Sequence, residues 1–161
     1  MTVVSNTSPI TSLAGVGQLN LLQQLYGSII IPPAVYTEMV GAGSLVPGAI
    51  EVQTLPWIQT REVVNQELVT ELLEELNLGE AQAIVLALEL KAELLLLDEL
   101  PGRTIASQYG LNITGVLGIL LEAKRNGSIP AVKPLMDRLI EQVAFRVSSR
   151  LYAEVLQSAG E

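Results

Sequence analysis

Residues 76–103 read LNLGEAQAIVLALELKAELLLLDELPGR. Near the end of this stretch Leu94–Leu97 form an unbroken apolar run that stops at Asp98 and Glu99. Four apolar residues in a row, bounded by charge, mark a strand buried on both faces, and such strands belong to parallel sheets covered by helices. On the N-terminal side, Asn77 and Gly79 break the chain before a helix over Glu80–Leu90; on the other side the spacing predicts a helix over Gly102–Tyr109. Helix, buried strand, helix is the repeating unit of an α/β domain.

The same alternation extends in both directions. Toward the N-terminus, Trp57-Ile58 begins a short strand and a polar helix occupies roughly 65–76; Ile29–Ile31 is a strand closed by Pro32-Pro33, which open a helix running through Met39. Val3-Val4 is the first strand, ending at Ser5-Asn6, and Thr7-Ser8-Pro9 look like a helix start with a hydroxyl N-cap. Two short helices are expected up to Leu25, broken at Gly15 and Gly17. Residues 41–56, rich in Gly and Pro, read as a loop. Toward the C-terminus, Asn112–Thr114 is a short edge strand, Val116–Lys124 a helix, and two more helices follow, one after Pro130 and one capped by Ser148 or Ser149. No repeat or linker interrupts the 161 residues, which predict one domain.

Composition narrows the chemistry. The chain has 49% hydrophobic residues but only 4% aromatic ones, so its core is aliphatic. No apolar run is long enough to cross a bilayer, and MTVVSNTSPI lacks the features of a signal peptide, so a soluble cytoplasmic protein is the expectation. With no Cys and no His, thiol nucleophiles, imidazole bases, Ser-His-Asp triads and ordinary zinc sites are excluded. The net charge of −8 is uneven: residues 1–37 carry no charge, Glu38–Glu99 hold twelve acids against Arg61 and Lys91, and from Arg103 onward seven basic residues outnumber five acids. An acidic site beside a mildly basic half is compatible with that pattern.

In an open parallel sheet the site lies outside the carboxyl ends of the strands. Two strands end in ligand-type residues: Asn6 with Thr7 and Ser8, and Asp98 with Glu99. Each has a bland alternative, a capped strand-to-helix turn in one case and a solvated loop in the other. Glu80 is more informative. At about 100° per residue, Ala83, Ile84 and Ala87 lie within about 60° of it, so its carboxylate shares the inward face of its helix. An acid at a helix start is also simply favourable to the helix dipole. Glu38 flanks the apolar arc Val35, Met39, Ala42 and on its own reads as a surface residue. Together, Asn6, Glu38, Glu80, Asp98 and Glu99 offer hard oxygen ligands, which suit Mg²⁺ or Mn²⁺. Phosphodiester hydrolysis is the reaction class that fits carboxylates without His.

The runs VVSNTSPI, IIIPPAVYTEM, LNLGEAQAIVLALELKAELLLLDELPGR and ITGVLGILLEAKRNGSIP resemble a bacterial PIN-domain group of the DUF3368 type, related to VapC-like toxins, over residues 2–157. The resemblance implies a three-layer α/β/α sandwich with a central, mostly parallel sheet. It implies Mg²⁺- or Mn²⁺-dependent ribonuclease activity, RNA as substrate, a small antitoxin protein as partner, and a homodimer. The family's second acid corresponds to Glu38, its third to Glu80, its acidic pair to Asp98 and Glu99, and its hydroxyl to Thr7 with Ser8 beside it. Many PIN domains have Asp where this chain has Asn6, and an amide removes one negative charge from the site.

The expected activity is therefore metal-dependent RNA cleavage, with Glu38, Glu80, Asp98 and Glu99 as catalytic acids and metal held by Asn6, Glu80, Asp98 and Glu99; Thr7 and Ser8 are expected to contact substrate, and Arg103 is a phosphate contact or a solvated helix charge. The alternative is a PIN-fold module that binds RNA or protein without cutting. A phosphoryl-accepting receiver domain fits worse, because the first strand ends in Asn6 and no Lys closely follows the later strands; a nucleotide-binding fold is not suggested either, since no phosphate-binding glycine motif is present. The uncharged N-terminal third adds a second reason to expect a dimer, since large apolar surfaces are usually interfaces.

Overall fold

The computed structural model describes residues 1–41 and 46–161. In chain order the elements are β1 (Val3–Ser5), α1 (Thr7–Gly15), α2 (Asn20–Tyr26), β2 (Ile29–Ile31), α3 (Pro33–Val40), α4 (Ala49–Thr54), β3 (Ile58–Thr60), α5 (Gln66–Leu72), α6 (Leu78–Glu89), β4 (Leu94–Leu96), α7 (Leu100–Gln108), β5 (Ile113–Thr114), α8 (Val116–Arg125), α9 (Lys133–Gln142) and α10 (Ser149–Ser158).

The five strands form one sheet in the order β3-β2-β1-β4-β5, and every neighbouring pair is parallel. β1 lies at the centre, with Val3, Val4 and Ser5 opposite Leu94, Leu95 and Leu96. Alternate side chains divide between two cores. Val3, Ile29, Ile31 and Leu96 pack with apolar residues of α1–α4 and α8–α10; Val4, Leu95 and Leu97 pack with those of α5–α7. Helices, sheet and helices make the three layers expected of an α/β/α sandwich, and strands so covered are apolar on both faces. No helix among the described residues is long and apolar enough to cross a membrane.

Three sequence expectations change in detail. The stretch read as a loop contains α4, which the flanking Pro47, Gly48 and Pro56 concealed. The helix containing Glu80 starts at Leu78, with Asn77 as its cap rather than a breaker. The N-cap position of α1 is Asn6, with no side-chain cap hydrogen bond, and the hydroxyl residues Thr7 and Ser8 are already helical. Ala42 lies outside the described residues. The uncharged N-terminal helices bury Ile10, Leu13, Leu21 and Leu22 inside the chain itself, which accounts for their apolar character without a partner.

Candidate functional site

The chain runs from β1 through β2 to β3 on one side, then returns so that β4 pairs with the other side of β1. That reversal opens a crevice outside the carboxyl ends of β1 and β4, the place where open α/β sheets bind ligands. Asn6 follows β1 directly, and its N–H donates to Leu96 O of β4 at 3.0 Å. Its side chain makes no cap hydrogen bond to α1 although it occupies the N-cap, and the residue is only 4% exposed. An N-cap Asn ordinarily spends its oxygen on the helix; here that oxygen faces elsewhere. A Cβ placed on Gly79 would lie 3.4 Å from Asn6 Oδ1 and 3.0 Å from Glu38 Oε2, so both oxygens converge on one spot beside the start of α6.

The first turn of α1 reaches the acids on both sides of it. Thr7 Oγ1 donates to Glu38 Oε2 at 3.0 Å, and Ser8 Oγ donates to Glu99 Oε1 at 2.5 Å. Both hydroxyls are thus holding carboxylates. Glu38, on α3, and Glu99, the N-cap of α7, are exposed. Glu80 sits between them and is 6% exposed. It forms a reciprocal capping box with Asn77: Glu80 N–H donates to Asn77 Oδ1 at 2.9 Å, and Asn77 N–H donates to Glu80 Oε1 at 3.2 Å. Burial pushes the Glu80 carboxyl above the usual carboxylate range; the Asn77 N–H pulls it back, and the charges of Glu99 and then Glu38 push it up again.

Asp98, after β4, divides its two oxygens. Oδ1 accepts the Val116 N–H at 2.9 Å and so anchors the start of α8, while Oδ2 is buried with no hydrogen-bond partner. Burial pushes this carboxyl up to about 6, opposed by the Val116 N–H, reinforced by Glu99 and opposed again by Arg103. Gly115 is required for the contact, since a Cβ there would lie 2.5 Å from Asp98 Oδ1. Arg103 turns inward: its Nη1 donates to Leu97 O at 3.0 Å, which ties α7 to the end of β4.

Asp98, Glu99 and Arg103 line a cleft of about 1100 Å³. Glu38 lines a second cleft, of about 500 Å³, with Asn77, Gly79 and Gln82. The acids are thus divided between two clefts, and the buried Glu80 lines neither while feeling the charges of Glu99 and Glu38.

As a donor set these residues suit a hard divalent cation, being carboxylate and amide oxygens only. The orphaned Asp98 Oδ2 is an acceptor of the kind that an ion or water satisfies. The spacing is less favourable: among the described residues no group of three or more acids converges closely enough to hold a metal ion. The donors fit in kind, but a closed cage of acids is not preformed.

Sequence reasoning passed over Asn77, Gln82, Gly115 and Arg146, the last an exposed side chain lining the same cleft as Asp98. Asn77 had a usable signal, because Asn-x-x-Glu before an apolar run is a variant of the capping-box pattern. Gln82 of α6 accepts the Ala34 N–H at 2.9 Å and joins α6 to α3. Gly115 and Arg146 lie in irregular stretches where periodicity carries no information.

No curated protein matches the chain. A family model described as a PIN domain, DUF3368, matches residues 2–161, nearly the whole sequence and every element that builds the crevice. The chain belongs to the PIN-domain family DUF3368.

Proposed function

We propose that this PIN-domain chain is a Mg²⁺- or Mn²⁺-dependent endoribonuclease, acting in the cytoplasm as the toxin of a toxin–antitoxin pair and assembling as a homodimer. The observation that supports this most directly is the unpartnered, buried Asp98 Oδ2 at the switch point of the sheet, next to Glu99. Asp98 would be the principal ligand, and Glu80, Glu99 and the amide oxygen of Asn6 would complete the set only by drawing in from the positions they hold here. A divalent ion bound there supplies charge stabilisation for a transferring phosphoryl group and lowers the pKa of water. Thr7 and Ser8 fix the carboxylates of Glu38 and Glu99, and Arg103 fixes the strand end that carries Asp98. A small antitoxin protein would cover the crevice.

A second reading has its own support. Asn6 in place of an acid, and the absence of a tight three-acid group among the described residues, favour a module that binds RNA without cutting it. Calorimetric titration with Mn²⁺, beside cleavage of an RNA pool, separates the two. The nuclease reading expects wild type to bind Mn²⁺ and cut, Asp98→Asn to lose both, and Asn6→Asp to gain affinity. Wild type that neither binds nor cuts, with binding restored by Asn6→Asp, replaces the nuclease with the binding module.

A further inference from the structure

Of the seven basic side chains from Arg103 onward, four are in ion pairs: Lys124 with Glu161, Arg125 with Glu122, Lys133 with Asp137 and Arg150 with Glu154. Two more donate to backbone carbonyls, Arg103 to Leu97 O and Arg138 to Val16 O. Arg146 alone among the seven has neither an ion pair nor a side-chain hydrogen bond among the described residues. It is exposed, and it lines the same cleft as Asp98 and Glu99 without pairing with either.

The segment leading into Arg146 is anchored at Val143 and Phe145, and Val147 packs on the core just beyond it. Val143 occupies the place where Gly15 has no side chain, since a Cβ there would lie 2.4 Å from Val143 Cγ1. Phe145 N–H donates to Leu139 O at 3.1 Å, and the Phe145 ring packs against the core. Between them Ala144 adopts φ 54°, a left-handed conformation that costs a non-glycine residue energy and persists only where surrounding packing enforces it. A cation set on a fixed turn, across a cleft from unneutralised acids, leaves room for a chain that carries its own negative charges. Leu100 and Leu151, 74% and 40% exposed, line the same cleft and offer apolar surface to flat bases.

We propose that Arg146 is a phosphate contact for single-stranded RNA lying in this cleft, positioning the strand against the acids at the ends of β1 and β4. The inference rests on reading the site as one that handles RNA. A guanidinium fork suits phosphate oxygens better than an ammonium does, and a single unpaired Arg gives register without base preference.

The test is fluorescence anisotropy of a labelled, unstructured oligouridylate with the wild-type protein in Ca²⁺ buffer, over a series of KCl concentrations. Arg146→Ala should weaken binding several-fold and flatten the slope of log affinity against log salt by about 0.7, the value for one phosphate contact on a single strand. Arg146→Lys should restore most of the slope, and Arg125→Ala, at the far end of α8, should change nothing. Absence of binding by wild type, or binding and slope unmoved by Arg146→Ala, overturns the proposal. Cleavage in Mn²⁺ is read separately on the same proteins. Wild type that cuts RNA with no contribution from Arg146 removes this inference and leaves the nuclease, whereas Arg146-dependent binding without cleavage does the reverse.

Discussion

Asp98 carries two conflicting demands on one carboxylate. Oδ1 anchors α8 in its ionised or neutral form alike, but burial of Oδ2 without a partner penalises the charge, and its pKa is pushed up to about 6. In the unfolded chain an Asp titrates near ~3.9. Between those values the folded protein holds a proton that the unfolded chain has lost, so stability falls as pH rises from about 4 to about 6 and levels off above. Thermal unfolding in chelator should show that decline. Asp98→Asn keeps an oxygen for the Val116 N–H and should abolish this part of the slope, with a gain on the order of 2 kcal/mol at neutral pH. An unchanged pH profile in Asp98→Asn would mean that another group is responsible. The position of Asp98 was legible because an unbroken leucine run ended there; its split role was not, because nothing in LLLLDE announces Gly115 or the start of α8.

The behaviour of α6 as an element depends on its first turn. Glu80 reads from sequence as an inward-facing acid, and it is buried, but the same carboxylate also closes the capping box with Asn77. Replacing Asn77 with Ala removes the cap and should cost about 1 kcal/mol, measured by denaturant unfolding. Glu80→Gln retains an oxygen for the Asn77 N–H and removes the buried charge. Its stability should stay within about 1 kcal/mol of wild type while Mn²⁺ affinity falls. A large loss of stability in Glu80→Gln would show that the charge itself, and not the cap, holds the turn. Gly79 misled the reading of this helix, since glycine usually ends helices. Here it sits inside the first turn, where a Cβ would lie 3.0 Å from Glu38 Oε2. α4 was lost for a related reason: a helix of six residues is too short for periodicity to outweigh the punctuation of Gly48 and Pro56 around it.

At the scale of the molecule, the central strands were legible because β2 and β4 are apolar runs and β1 begins with Val3-Val4, whereas strand order was not, since pairing depends on crossovers that leave no local trace. That order, β3-β2-β1-β4-β5, puts the first strand in the middle. The sole Trp, Trp57, is 8% exposed in the core shared by α1–α4 with α8–α10. A fragment ending at residue 93 lacks β4 and α8–α10, and its Trp57 emission should be red-shifted toward that of the unfolded chain. A fragment with native-like emission would show that the N-terminal half folds alone. Distant pairing of this kind also slows folding relative to helical chains of similar length.

The central place of β1 has a consequence for the order in which the protein comes into being. A growing polypeptide releases Asn6 first and must hold it in waiting while β2, α3 and α6 emerge, because the neighbour that completes its surroundings is the strand ending at Leu96. A chain not yet made through Leu96 lacks the strand against which Asn6 is set, so the crevice takes shape only after more than half of the polypeptide has been synthesised.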